Sequence, residues 1–292
     1  MGFLESKQSF WDQIDKIEKE VVIENENSFI FDNSIGFLGV KGGVGTSSLL
    51  ANVALDVASK GKSVCIMDAD VFKPSIIRMF DCASELEEEQ GLQTVLKDDS
   101  CDIRDNLIKT KYDNVYILSR SLNDKIEDFL DFEEKDFKRV IDELKSVFDI
   151  VLIDIPLNFC LEFCIYPLKF VDRGFMVWED NIECFQNTFD IKFFLKYAAD
   201  IDTGKISNII INKRRLSGLM DASAKGLIGV PFNTENISEL KCRLFSEVPF
   251  IGEIQNYINE GRPYLKAGSK INGRFLSEIE KITRFILYLD EK

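Results

Sequence analysis

The sequence predicts an α/β fold, a mainly parallel β-sheet with helices on both faces. Short apolar runs alternate along the chain with stretches of helical periodicity, the pattern of strand–helix–strand units. The runs are continuously apolar rather than alternating, as strands buried on both faces are. A glycine cluster then sits where the first run passes into the first helical stretch.

Taken in order, strands are expected at 35–40, 64–68, 115–118, 150–154, 175–178, 206–212 and 249–254. Helices are expected at 46–59, 133–148, 182–199 and 273–289, where apolar residues recur at three- and four-residue steps. Upstream, Phe3, Phe10, Ile14, Ile17 and Val21 mark an amphipathic helix over 3–22. Residues 1–34 read as an N-terminal arm, which docks on its own fold, on a partner or on a membrane surface. Residues 35–292 read as one domain, since no proline-rich linker or repeat divides them.

Composition narrows the function. The chain has 292 residues, of which 45% are hydrophobic, an ordinary globular mixture. Its 36 basic and 50 acidic side chains leave a net charge of −14, which disfavours non-specific contact with a phosphate backbone. It has no histidine, so imidazole acid–base chemistry and every His-activated nucleophile are excluded. Seven cysteines are irregularly spaced, with no Cys-x-x-Cys, as expected of free thiols in a reducing cytoplasm. Cys160 and Cys164 lie four apart and read as buried apolar residues, with a thiolate metal site as the alternative. No apolar stretch is long enough for a membrane span. The N-terminus lacks a signal-peptide layout, although Gly2 and Ser6 fit a myristoylation pattern.

The chemistry concentrates in Val40-Lys41-Gly42-Gly43-Val44-Gly45-Thr46-Ser47-Ser48. Glycines at a strand-to-helix turn let backbone N–H groups converge on an anion, and the helix N-terminus adds partial positive charge. A standard phosphate loop reads G-x-x-x-x-G-K-[ST]. Here Val40 stands at the first glycine and Thr46 at the lysine, while Gly45 and the Mg2+-binding hydroxyl position, Ser47, remain.

A lysine placed directly before the glycines resembles the deviant phosphate loop of the ParA/MinD family, K-G-G-x-G-K-[ST]. Asp68-Ala69-Asp70 followed by Pro74-Ser75 is similar to the family's switch motif, and the apolar run ending Asp154-Ile155-Pro156 to its third motif. Asn212-Lys213 resembles the strand end whose Asn reads adenine; 249–254 and Gly261-Arg262-Pro263 resemble the last strand and the helix-end turn. The resemblance implies ATP or ADP with Mg2+ as ligands. It implies Lys41, Asp70 and Asp154 as catalytic residues, with Lys41 crossing a dimer interface to the other subunit's phosphates. Gly42, Gly43, Val44, Gly45, Thr46, Ser47, Ser48 and Asn212 would bind the nucleotide, and Ser47, Asp70 and Asp154 the metal.

The KGGVGT form of the loop looks like the CpaE/TadZ branch, atypical ATPases that localise pilus secretion machinery. That implies a cytoplasmic homodimer with a pilus or secretion partner, recruited to the inner face of the membrane or to a cell pole. DNA binding is not expected, and peripheral membrane association is not specifically indicated. Two alternatives stay open: a slow MinD/ParA-type ATPase for spatial positioning or partitioning, and a degenerate scaffold that binds no nucleotide.

Overall fold

The computed structural model of the chain describes residues 32–83, 90–121, 124–125, 129, 132–157, 162–215 and 240–288. The chain divides into two compact units, Met1–Asp32 and Asn33–Lys292, and the sheet lies wholly in the second. The helix expected over 3–22 lies outside the described residues, as does Cys160.

The strands are β1 (Ser34–Gly39), β2 (Val64–Asp68), β3 (Ile108–Lys109), β4 (Val115–Leu118), β5 (Ile150–Ile155), β6 (Arg173–Trp178), β7 (Asn208–Arg214) and β8 (Arg243–Pro249). They form one sheet in the order β3-β4-β2-β5-β1-β6-β7-β8. Every pairing is parallel except the short β3–β4 edge. The central strands β1, β2 and β5 are buried at every residue, as their unbroken apolar runs require. Strand β1 lies between β5 and β6, so its C-terminal end opens where chain connections leave to both sides, the usual place for a ligand in such sheets.

The helices are α1 (Thr46–Ser59), α2 (Ile76–Met79), α3 (Leu92–Lys97), α4 (Glu134–Val147), α5 (Glu162–Phe170), α6 (Ile182–Tyr197), α7 (Ile254–Asn259) and α8 (Gly273–Ile286). Helix α1 buries a continuous run from Leu49 to Val57, which marks it as a core helix rather than a surface one. Helix α4 starts at a capping box formed by Glu133 and Asp136 and buries Phe137, Val140, Ile141 and Leu144. The amphipathic C-terminal stretch forms α8, whose Phe275, Ile279, Ile282 and Ile286 are buried; it packs on α1 and β8. Arg173 closes its end by donating to the carbonyls of Phe285 and Ile286, at 3.3 and 2.8 Å.

Two expected strands need correction. The strand expected at 206–212 begins two residues later, because Thr203–Ile206 is a 3-10 turn held by Asp202. The strand expected at 249–254 is instead β8, Arg243–Pro249, and the chain then turns into α7. Among the described residues, strand β8 lies at the sheet edge with only β7 beside it, so its residues alternate in burial and carry charge, which hides it from a search for continuous apolar runs. The apolar Phe250 and Ile251 that suggested a strand line a cleft instead. Helix α5 went unforeseen because Pro167 lies inside it, and an internal proline argues against a helix.

Candidate functional site

The site is built where β1 ends. Val40 extends the strand, donating to Val177 O at 3.2 Å, and Asn187 of α6 donates to Val40 O at 3.0 Å. A fully buried valine therefore takes the position of the usual first glycine without disturbing the turn. Gly43 and Gly45 follow with φ of +81° and +86°, left-handed backbone that glycine adopts without a Cβ penalty. The chain then enters α1 with no side-chain cap and no acidic residue in the first turn. Its first N–H groups are left for an anion, at the positive end of the helix dipole.

Asn212 and Lys213, from the end of β7, hold this loop from outside. Asn212 Nδ2 donates to Val44 O at 2.9 Å and Gly45 O at 3.4 Å. Lys213 Nζ donates to Gly43 O and pairs with Glu179 Oε1 at 2.8 Å. Thr46 sits close over Gly39, where an added Cβ would lie 2.5 Å from Thr46 Oγ1.

Strands β2 and β5 bring two carboxylates together beneath the loop, for Asp68 and Asp154 are register partners. Asp154 is buried, takes a hydrogen bond from Ser47, and its Oδ2 has no partner among the described residues. Burial pushes its carboxyl up to about 7; the Ser47 hydrogen bond opposes that rise and the charge of Asp70 adds to it. Burial, then the charge of Asp154, raises Asp68 as well. A buried, unpartnered carboxylate oxygen beside a hydroxyl suits a hard divalent cation, which would relieve the crowding of negative charge. Among the described residues no cluster of three His, Cys, Asp or Glu side chains could hold a metal. A Mg2+ here would therefore complete its shell with water and phosphate oxygens.

Asp68 was missed as a functional residue, and its work is structural. Its oxygens accept from the backbone N–H of Asp70, Ser75 and Ile76 at 3.2, 3.1 and 3.2 Å, and so shape the turn that presents Asp70. Asp70 lines the cleft and accepts from Lys73 N at 3.0 Å. The spacing of the two aspartates is the signal, with the first ending a buried strand and the second standing in the turn.

Gly42, Gly43, Val44, Gly45, Thr46, Ser47, Ser48, Asp70, Asp154, Asn212 and Lys41 thus border one cleft of about 400 Å³. Lys41 is tied to Glu183 of α6 by an ion pair of 2.7 Å, which raises its pKa. Cys164 is buried in α5 with its thiol pushed up to about 12, which leaves it an inert apolar residue.

With this geometry, the comparison with solved structures decides the fold. The septum site-determining protein MinD of Pyrococcus horikoshii, solved with Mg-ADP, superposes with a TM-score of 0.67 at 21% identity, over 88% of this chain and 97% of that one. The chain has the ParA/MinD-type P-loop NTPase fold. In sequence, residues 31–131 of the chain match the ParA family model, described as NUBPL iron-transfer P-loop NTPase. An uncharacterized ATP-binding protein of Methanocaldococcus jannaschii is 24% identical over 88% of both chains. MinD of Bacillus subtilis is 30% identical over 40% of this chain and 42% of its own length.

Proposed function

We propose that the cleft binds ATP with Mg2+ and that the bound nucleotide switches the chain into a homodimer that acts in spatial positioning. The observation that carries this reading is the bare N-terminus of α1, which carries Ser47 and shares one cleft with the unpartnered Asp154 oxygen after a loop of left-handed glycines. Backbone amides from Gly43 to Ser47 would cradle the phosphates. Ser47 and Asp154 would hold Mg2+, and Asp70 would orient an attacking water. With its nitrogen donating to the loop, Asn212 offers an oxygen to a ligand, and an acceptor suits the 6-amino group of adenine.

The metal role has a pH signature. Asp154 must lose its proton to bind Mg2+, and its carboxyl titrates near 7. Protonation therefore competes with the metal below that pH and not above it. The Mg2+-dependent gain in ATP affinity should fall about tenfold per pH unit below 7 and level off above 8. Calorimetry across that range checks it; Asp154→Asn should flatten the profile, and a wild-type profile already flat would contradict the assignment.

Spatial positioning is favoured because the relatives with named roles include septum site-determining MinD proteins and a protein named for plasmid partition. The pilus or secretion role suggested by the KGGVGT loop has no counterpart among these relatives. Iron transfer, named in the matching family's description, lacks the Cys-x-x-Cys that would carry a cluster. Among the described residues no helix is long and apolar enough to cross a membrane; recruitment to a membrane surface or a cell pole would be peripheral.

The dimer is tested through Lys41. Its ammonium is held by Glu183 within the monomer, and a second subunit's phosphates would take it over. Light scattering should show mass doubling with ATP and Mg2+ in the wild type, and little change for Lys41→Ala, whose own nucleotide affinity stays near wild type. No ATP-dependent change in wild-type mass would overturn the switch.

A further inference from the structure

The loop has lost the lysine that normally follows its last glycine, since position 46 is threonine, yet two other lysines line the cleft, Lys41 and Lys213. We propose that Lys213 supplies, from the end of β7, the positive charge that position 46 lacks, its ammonium meeting the phosphates of the bound nucleotide. The inference rests on the nucleotide reading and adds to it a phosphate ligand outside the loop.

The backbone carries the argument. Asn212 and Lys213 are adjacent in a strand, where successive side chains point to opposite faces. Both nevertheless reach the same loop, Asn212 to the carbonyls of Val44 and Gly45 and Lys213 to that of Gly43. Two features make this possible. The β7–β8 register is broken between Ile211 and Arg214, and Lys213 itself has φ of +56°. A strand irregularity of this kind re-aims a side chain, and the left-handed backbone at Lys213 breaks the regular alternation of the strand.

The side chain also lies in the right place. An added Cβ at Gly45, the last residue before α1, would meet Lys213 Cε at 3.3 Å, so the lysine stem passes over the glycine that precedes the bare helix N-terminus. Its ammonium rests on a loop carbonyl and on Glu179, neither of which matches a phosphate group in charge. Lysine has a flexible stem and a compact charge with rotatable donors. Exchanging the Gly43 carbonyl for a phosphate oxygen therefore needs a side-chain rotation, with the loop left in place. Lys41, paired with Glu183 at 2.7 Å, is the lysine already assigned to the second subunit's phosphates.

The test is calorimetry on the full chain with ATP, ADP and AMP, each with Mg2+. Replacing the charge with Lys213→Gln, or with Lys213→Met as a second variant of similar reach, should weaken ATP and ADP binding by about 10- to 100-fold. AMP binding should change by less than about threefold. Lys213→Arg should retain most of the affinity. Adding Thr46→Lys to Lys213→Gln should restore ATP binding, because a lysine on α1 then supplies the same charge; a lysine that only clipped the loop would not be rescued this way. Unchanged ATP affinity in both charge-free variants would overturn the proposal and leave the nucleotide reading standing. So would an equal loss for AMP without rescue by Thr46→Lys. A wild-type chain that binds none of the three nucleotides would overturn both.

Discussion

Replacing Gly45 with valine should abolish ATP binding. Gly45 has φ of +86°, a conformation that a β-branched residue adopts only at a cost of about 1–3 kcal/mol. A Cβ there would also lie 2.6 Å from Asn212 Nδ2 and 3.3 Å from Lys213 Cε. The added atoms collide with the two residues that hold the loop from β7. Either the loop moves and its N–H groups diverge, or Asn212 and Lys213 are pushed off its carbonyls. Gly45 is half-buried and precedes the buried run of α1, so the fold should survive with a lower melting temperature. Calorimetry should show no ATP binding up to millimolar concentration, beside a cooperative melt. ATP affinity within about threefold of wild type would mean that the loop is not the binding element.

The second large effect concerns turnover. Wild-type hydrolysis should fall well below the usual enzymatic range of about 1 to 10³ per second. In phosphoryl transfer, charge is spread over the transferred group and the leaving oxygen, and catalysis depends on cations held there. Thr46 supplies none, and its hydroxyl sits back over Gly39. Thr46→Lys places an ammonium at the start of α1, beside Ser47 and in the cleft that Asp70 and Asp154 also line, so steady-state phosphate release should rise by one to two orders of magnitude, about 1.4 kcal/mol per tenfold. Wild-type turnover in the ordinary range would contradict the reading of Thr46 as a lost catalytic group. Tight binding with no gain in Thr46→Lys would show that Asp70 and Asp154 no longer support the reaction, and that the chain works by binding alone.

The parts of this molecule that were legible in the sequence share a physical cause. Strands β1, β2 and β5 are buried on both faces, so their apolar runs stand out, and the loop after β1 is marked by glycines that its left-handed turns require. Asp154 and Asp70 are found because each ends or follows such a strand. The illegible parts break these rules. Strand β8 is an edge strand and alternates, so its signal fell on the apolar residues after it. Helix α5 carries Pro167 in its interior, which a sequence pattern reads as a break. The motif displays Asp68, but its task, accepting from the backbone N–H of Asp70, Ser75 and Ile76, shows only in the folded turn. Lys213 becomes visible only with the irregularity in β7, since in a regular strand it would face away from Asn212.

The central claim is that the glycine loop, Ser47 and Asp154 form an ATP·Mg2+ site without the usual lysine. The direct measurement is calorimetric titration of the full chain with ATP, once with Mg2+ and once with excess chelator. The account predicts saturable binding with one nucleotide per chain, weakened markedly by removal of Mg2+ and insensitive to Mg2+ in Asp154→Asn. A flat titration at millimolar ATP and Mg2+ would contradict it.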